Sequence, residues 1–130
     1  MINPFVIGDK QTFVKRVETT DTAVFDAGQV HPVYATFALG KDAEWVCRLF
    51  VLQMKADDEE GIGTFLNVQH KSPALVGQTV TFEATLMQIN NNEIICDFIA
   101  KVDERIIAVG STGQKILKKQ KLHSLFNNLR

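Results

Sequence analysis

The chain has 130 residues, 45% of them hydrophobic and 22% charged, and a formal net charge of −1. That is one domain by size, able to bury roughly two-thirds of its unfolded surface. Its charge balance argues against nucleic acid or an anionic membrane as partner, since such binders carry a clear basic excess.

In chain order, residues 1–9 read as a loosely held arm, and the half-alternating residues 10–20 as a first strand. Residues 21–35, with Gly28 and Pro32, read as a loop or short helix. Residues 36 to about 56 lack proline and have helical spacing. Leu39, Gly40, Ala43, Val46, Cys47, Phe50, Val51 and Met54 form one broad apolar arc, and Ala38, Trp45, Leu49 and Leu52 a second on the opposite side. A helix apolar nearly all round belongs in the interior, wrapped by a sheet and covered by a partner subunit.

After the acidic turn Asp57–Gly61, strand alternation takes over. Residues 62–70 place Ile62, Thr64, Leu66, Val68 and His70 on one face, and residues 78–89 group Val80, Phe82, Ala84 and Leu86. Asn90-Asn91-Asn92 signals a turn into an antiparallel partner, 93–103, and residues 106–117 make a last strand. Residues 118–130 space Leu122, Leu125, Phe126 and Leu129 as a short amphipathic helix. One buried helix followed by an antiparallel meander is an α+β plan. No apolar run approaches the roughly 20 residues of a membrane span, and no signal-peptide pattern opens the chain. Cys47 and Cys96, both in apolar stretches, read as buried thiols of a reducing cytoplasm, and no His/Cys spacing resembles a zinc site.

Three residues carry the parts for nucleophilic acyl transfer: the Thr36 hydroxyl, the Glu44 carboxylate eight residues on, and the His70 imidazole 26 beyond that. Each also has an ordinary role. Thr36 stands where a helix N-cap belongs. Glu44 has Lys41 and Arg48 within ion-pairing distance on a helix, and His70 closes a strand as a structural residue would. Together they make a nucleophile, a carboxylate and a general base that exchanges protons near neutral pH. Gly61 and Gly63 bracket a strand start, which suits turn geometry or a close backbone approach in which an N–H meets an oxyanion. Asp57-Asp58-Glu59-Glu60 lacks the alternating ligands of a calcium loop and reads as solvated. His31 and His123 have no chemical company.

The motifs V-Y-A-T (33–36), A-E-W-V-C (43–47), G-I-G-T (61–64), V-x-H (68–70) and G-Q-T-V-T (77–81) resemble those of the fluoroacetyl-CoA thioesterase group of the hot-dog superfamily. The correspondence runs without gaps from about residue 33 to 117, and the Thr–Glu and Glu–His intervals agree. The resemblance implies a hot-dog homodimer with active sites at the subunit interface, and leaves open a tetramer made of two such dimers. It implies acyl-CoA as substrate, with Thr36, Glu44 and His70 catalytic, and Gly63 and Thr64 binding the oxyanion or substrate. No metal and no cofactor is expected, coenzyme A being part of the substrate. Two departures bear on fluoroacetyl selectivity: Val30 stands where the fluoroacetyl enzymes carry a gating phenylalanine, and Gln114 where they carry an arginine. Lys115, Lys118, Lys119 and Lys121 form a basic stretch that reads as a solvated tail, or as a contact for coenzyme A phosphates.

The expectation is therefore a cytoplasmic hydrolase of a small or medium acyl-CoA. The alternatives are a non-catalytic acyl-CoA sensor, which needs no base beside a hydroxyl, and an enoyl-CoA hydratase. A hydratase calls for an acid and a histidine on one segment, whereas here they lie on different elements.

Overall fold

The computed structural model describes residues 1–25 and 28–130, with side chains for all of these except 24, 25, 29 and 30. Val30, the residue at the gating position, therefore has its side chain outside the described residues. The elements are β1 (Lys10–Arg16), a 3-10 turn (Thr19–Asp21), β2 (Thr22–Phe25), β3 (Gly28–Tyr34), α1 (Thr36–Met54), β4 (Glu59–His70), β5 (Thr79–Asn90), β6 (Glu93–Val102), β7 (Arg105–Lys118) and α2 (Lys119–Asn128). Antiparallel pairing orders the main sheet β1-β5-β6-β7-β4, and β2-β3 form a separate two-stranded ribbon. Thr22–Phe25 and Gly28–Tyr34 thus pair as antiparallel strands, where a loop or short helix was expected, and Tyr34 at the end of β3 is buried in the main core.

The helix lies on one face of the sheet. Its main apolar arc is buried (Leu39, Ala43, Val46, Cys47, Phe50, Val51, Met54) and packs on the inward residues of β5 and β6. Those strands keep the alternation read from sequence: Val80, Phe82, Ala84 and Leu86 are fully buried, as are Ile94, Cys96, Phe98 and Ala100 to within a few per cent. Cys47 and Cys96 are free thiols inside this core. The second arc behaves differently. Trp45 and Leu52 remain exposed within one chain, and Ala38 and Leu49 are half-buried.

Parity in β4 does not follow the simple alternation. A register shift between Gly63 and Phe65 puts a bulge at Thr64. As a result, Gly61 and Gly63 face the helix before the bulge, and Leu66 and Val68 face it after: a Cβ at Gly61 would meet Val51, and one at Gly40 would meet Leu66 and Val68. Ile62 and Thr64 fall on the other face from Leu66, Val68 and His70.

The N-terminal arm is tied down, not loose. The Met1 ammonium pairs with Glu59 at 2.7 Å, and the Ile2 N–H donates to the Met54 carbonyl at 2.8 Å. Both contacts sit at the C-terminal end of α1, where unpaired carbonyls and the negative end of the helix dipole favour donors and cations. Phe5 adds an edge-to-face contact with Phe50, centroids 4.9 Å apart. The acidic turn is solvated at Asp57 and Asp58, as read from sequence, but Glu59 is buried and its neighbours are paired. Asp58 pairs with Lys118 at 2.9 Å, Glu60 with Arg48 at 2.6 Å, and Glu59 also accepts from the Ala56 N–H at 2.8 Å.

Two predictions follow from this packing. Truncating the fully buried Phe50 to alanine removes the centre of the helix–sheet contact and should cost about 3–5 kcal/mol in denaturant unfolding. Glu59 is held below its ordinary 4.5, first by the hydrogen bond from the N-terminal ammonium and then by the Ala56 N–H. A lowered carboxyl stabilises the fold above its unfolded value, and that contribution is lost as pH falls through the folded value. Unfolding midpoints should therefore drop more steeply below pH 4.5 in the wild type than in Glu59→Gln, which has no charge to lose there.

Candidate active site

Thr36 and His70 come together although 34 residues separate them: Thr36 Oγ1 lies 2.9 Å from His70 Nδ1. The backbone arranges this from both sides. Ala35, not Thr36, is the N-cap of α1, so Thr36 is the first helical residue and its hydroxyl is not engaged in capping. Tyr34, buried just before the helix, donates its phenol to the Asp42 carboxylate two turns on, while the Tyr34 N–H bonds the Ala74 carbonyl at 2.8 Å. Burial and the Asp42 carboxylate hold that phenol well above its ordinary range, so it remains a donor. His70 is fixed at the end of β4 opposite Ala108, and the next residues, Lys71 and Ser72, both donate N–H groups to the Ile107 carbonyl.

The pair has one protonation state suited to base catalysis. If Thr36 donates to Nδ1, the ring proton sits on Nε2, and Nε2 is enclosed with no hydrogen-bond partner among the described residues. An imidazolium formed when Thr36 gives up its proton would therefore gain nothing at Nε2, and would need a negative charge near its Nδ1 side.

Glu44 does not supply that charge within one chain. Eight residues of helix separate it from Thr36, about 12 Å at 1.5 Å per residue. The expected support of His70 by Glu44 is thus absent from the single chain. Instead Glu44 leans on β4, where an added Cβ at Gly63 would fall 2.7 Å from its Oε1. Arg48, the cation proposed from sequence as a partner, is taken by Glu60, and Glu44 makes no ion pair among the described residues.

Gly63 is exposed on β4, the last strand of the sheet. Two residues earlier, Gly61 gives its N–H to Glu60 Oε1 and its carbonyl to Arg48, away from β7. Strand alternation turns the Gly63 N–H to that same open edge. Thr64 sits on the bulge with its hydroxyl donated to Glu93 at 2.8 Å, on the face away from α1. Its hydroxyl is thus engaged by Glu93, while Thr64 itself lines a cleft beside Gly63. That cleft, of about 260 Å³, opens between Glu44 and Gly63–Leu66.

Sequence reading found Gln114 only as a departure from a family pattern. In the fold it is a buried polar residue opposite Gly63, its carboxamide near Gly61 and 3.5 Å from the Glu44 carbonyl. His31, on β3, and His123, on α2, are both exposed. Among the described residues no group of three or more His, Cys, Asp or Glu side chains is placed to hold a metal ion. Because the Glu44 carboxylate already fills the space a Cβ would need, Gly63→Ala should displace Glu44 from β4, visible in the variant's structure, with little change in its unfolding curve because the flexible carboxylate can move aside.

Comparison with known proteins identifies the fold and the family. The family model of the fluoroacetyl-CoA-specific thioesterase FlK matches residues 17–120. A hypothetical protein of Thermus thermophilus, a thioesterase superfamily member, is 33% identical and superposes with a TM-score of 0.93, over 98% of this chain and 95% of its own. The fluoroacetyl-CoA thioesterase FlK superposes at 0.87 with 20% identity, covering 95% of this chain and 96% of that one. A hot-dog-like protein from Thermanaerovibrio acidaminovorans superposes at 0.86 with 19% identity, over 95% and 92% of the two chains. Among curated protein sequences none matches. With a family match over most of its length and a fold shared with thioesterases, the chain belongs to the fluoroacetyl-CoA-specific thioesterase family and is a thioester hydrolase of hot-dog fold.

Proposed function

We propose that the protein hydrolyses a small or medium acyl-CoA, at sites each built from two copies of the chain. The observation that carries the reading is the Thr36–His70 contact at 2.9 Å, a hydroxyl against a base with no structural duty at the helix cap.

The second copy is argued from internal symmetry. Thr36 and Glu44 stand four residues either side of Gly40 on the helix; Gly63 and His70 stand about equally either side of Leu66 on β4. Gly40 and Leu66 touch, a Cβ at Gly40 falling 3.1 Å from Leu66. A two-fold axis at that contact would lay β4 antiparallel on its copy and bring the Thr36–His70 pair of one chain to Glu44 and Gly63 of the other. The edge of β4 needs covering in any case, since Phe65 and Leu66 are 43% and 44% exposed beside unpaired backbone. Such a pairing is isologous, the commonest form of dimer.

In the resulting mechanism, the thioester carbonyl faces the Gly63 N–H of one chain. Thr36 Oγ1 of the other attacks the carbonyl carbon while His70 Nδ1 takes the hydroxyl proton. The Glu44 carboxylate across the interface stabilises the imidazolium, and the Gly63 N–H the oxyanion. Collapse breaks the carbon–sulfur bond, and His70 returns its proton to the thiolate of coenzyme A. Water then attacks the acyl-Thr36 ester with His70 again as base, giving the carboxylic acid and the free hydroxyl. An uncharged Gln114 beside Glu44 and Gly61 supports an ordinary acyl group over a selective fluoroacetyl site.

Free-thiol release from a panel of acyl-CoAs should fall about a hundredfold or more in Thr36→Ala and in His70→Ala. Loss in His70→Ala alone would instead indicate direct attack by water. Mixing inactive Thr36→Ala and Glu44→Ala chains, unfolded and refolded together, should restore about a quarter of wild-type activity, because half the dimers then hold one intact site of two. No recovery would rule out a shared site. Binding of acyl-CoA with no turnover on any chain length would return the protein to the sensor class.

A further inference from the structure

We propose that Lys119 and Lys121, at the start of α2, hold the phosphate-bearing nucleotide end of the coenzyme A thioester. This rests on the thioesterase reading above and adds where the far end of the substrate lies.

Charge is unevenly distributed along the chain. Residues 105–130 hold six of the 14 lysines and arginines and none of the 15 acids, so the remainder of the molecule is distinctly acidic. The fold gathers part of that excess at one corner. The Lys119 N–H donates to the Asp58 carbonyl at 2.9 Å, which sets the start of α2 beside the start of β4. Leu122, 7% exposed, anchors the helix to the body of the domain, and Lys119 and Lys121 are exposed on either side of it.

These two cations are uncommitted. Lys118 is engaged by Asp58 and Glu59, while Lys119 and Lys121 make no ion pair among the described residues. Acids that would otherwise neutralise the corner are already paired: Asp58 with Lys118, Glu59 with the N-terminal ammonium, Glu60 with Arg48. Of the acidic turn, only Asp57 is left without an ion pair among the described residues.

The corner also stands at a suitable distance. Glu59, opposite Lys118, lies four residues along β4 from Gly63, about 13 Å at strand rise. A coenzyme A thioester carries its phosphates at the far end of a long pantetheine arm, so its recognition calls for cations well removed from the reacting carbon. Lysines exposed to solvent hold phosphate weakly and are screened by salt. Their mark is thus a salt-dependent KM, with kcat left to the groups at Gly63 and His70.

The test compares wild type with Lys119→Glu/Lys121→Glu on two thioesters of one acyl group, one of coenzyme A and one of pantetheine, which has no phosphates. In low salt the variant's KM for acyl-CoA should rise about tenfold or more, the gap closing as salt is added, with the pantetheine ester affected far less. Equal changes for both substrates, or none for acyl-CoA, would overturn the proposal. So would a KM change seen only with a thioester presented on an acidic carrier protein, which would make the corner a protein-docking surface. If the double reversal perturbs folding by circular dichroism, Lys119→Gln/Lys121→Gln serves for the same comparison. Should wild type cleave neither ester, the thioesterase reading fails by itself. Calorimetric titration of coenzyme A into both proteins then decides the corner: weaker binding to the variant supports it, and equal binding sinks it.

Discussion

Close approach of α1 to β4 is the contact on which the rest of the molecule depends. At Gly40 the helix presents no side chain, and Leu66 and Val68 fill the space a Cβ would take. One turn along the helix Glu44 meets Gly63, and farther on Arg48 and Val51 meet Gly61. Glycines at these three contacts let the helix settle close against an edge strand. That brings the helix start to His70 and the helix middle to Gly63, and so fixes both halves of the candidate site. Packing density in such a seam leaves little slack, and added volume there is felt as strain or as displacement of a neighbour.

The same closeness explains why each half is incomplete in one chain. A straight helix on a straight strand keeps residues eight apart about 12 Å apart, so the hydroxyl–imidazole pair and the carboxylate–glycine cleft cannot merge. They lie symmetrically about the Gly40–Leu66 contact instead. Phe65 and Leu66 on β4 and Phe37 and Trp45 on the helix are exposed within one chain. Large apolar side chains beside an unpaired strand edge favour cover over water, which the proposed pairing of two copies would supply.

Charges brace the far end of the helix. The N-terminal ammonium meets Glu59, Arg48 meets Glu60, and Lys118 meets Asp58 and Glu59. Met1 and Ile2 reach the last turn of α1, and Phe5 closes over Phe50. This pins the start of β4 and therefore the glycines that follow it. It also leaves Lys119 and Lys121 without an ion pair among the described residues, which ties the substrate-end proposal to the same packing.

By itself the sequence determined the helix from Thr36, the alternating faces of β5 and β6, the turn at Asn90–Asn92 and the amphipathic tail, because each rests on a local period that burial then rewards. It also singled out Thr36, Glu44, His70 and Gly63 through their intervals. Tertiary structure decided what no local period contains. A bulge at Thr64 reverses the parity of β4 and turns that hydroxyl to Glu93; Thr22–Phe25 and Gly28–Tyr34 pair as strands; and the arm and acidic turn are held through contacts distant in sequence. Ala35 took the cap and left the Thr36 hydroxyl for His70. The distance between Glu44 and that pair is likewise a property of the folded chain, since intervals along a sequence say which residues share a face, while only the packing of helix on strand says which of them can touch.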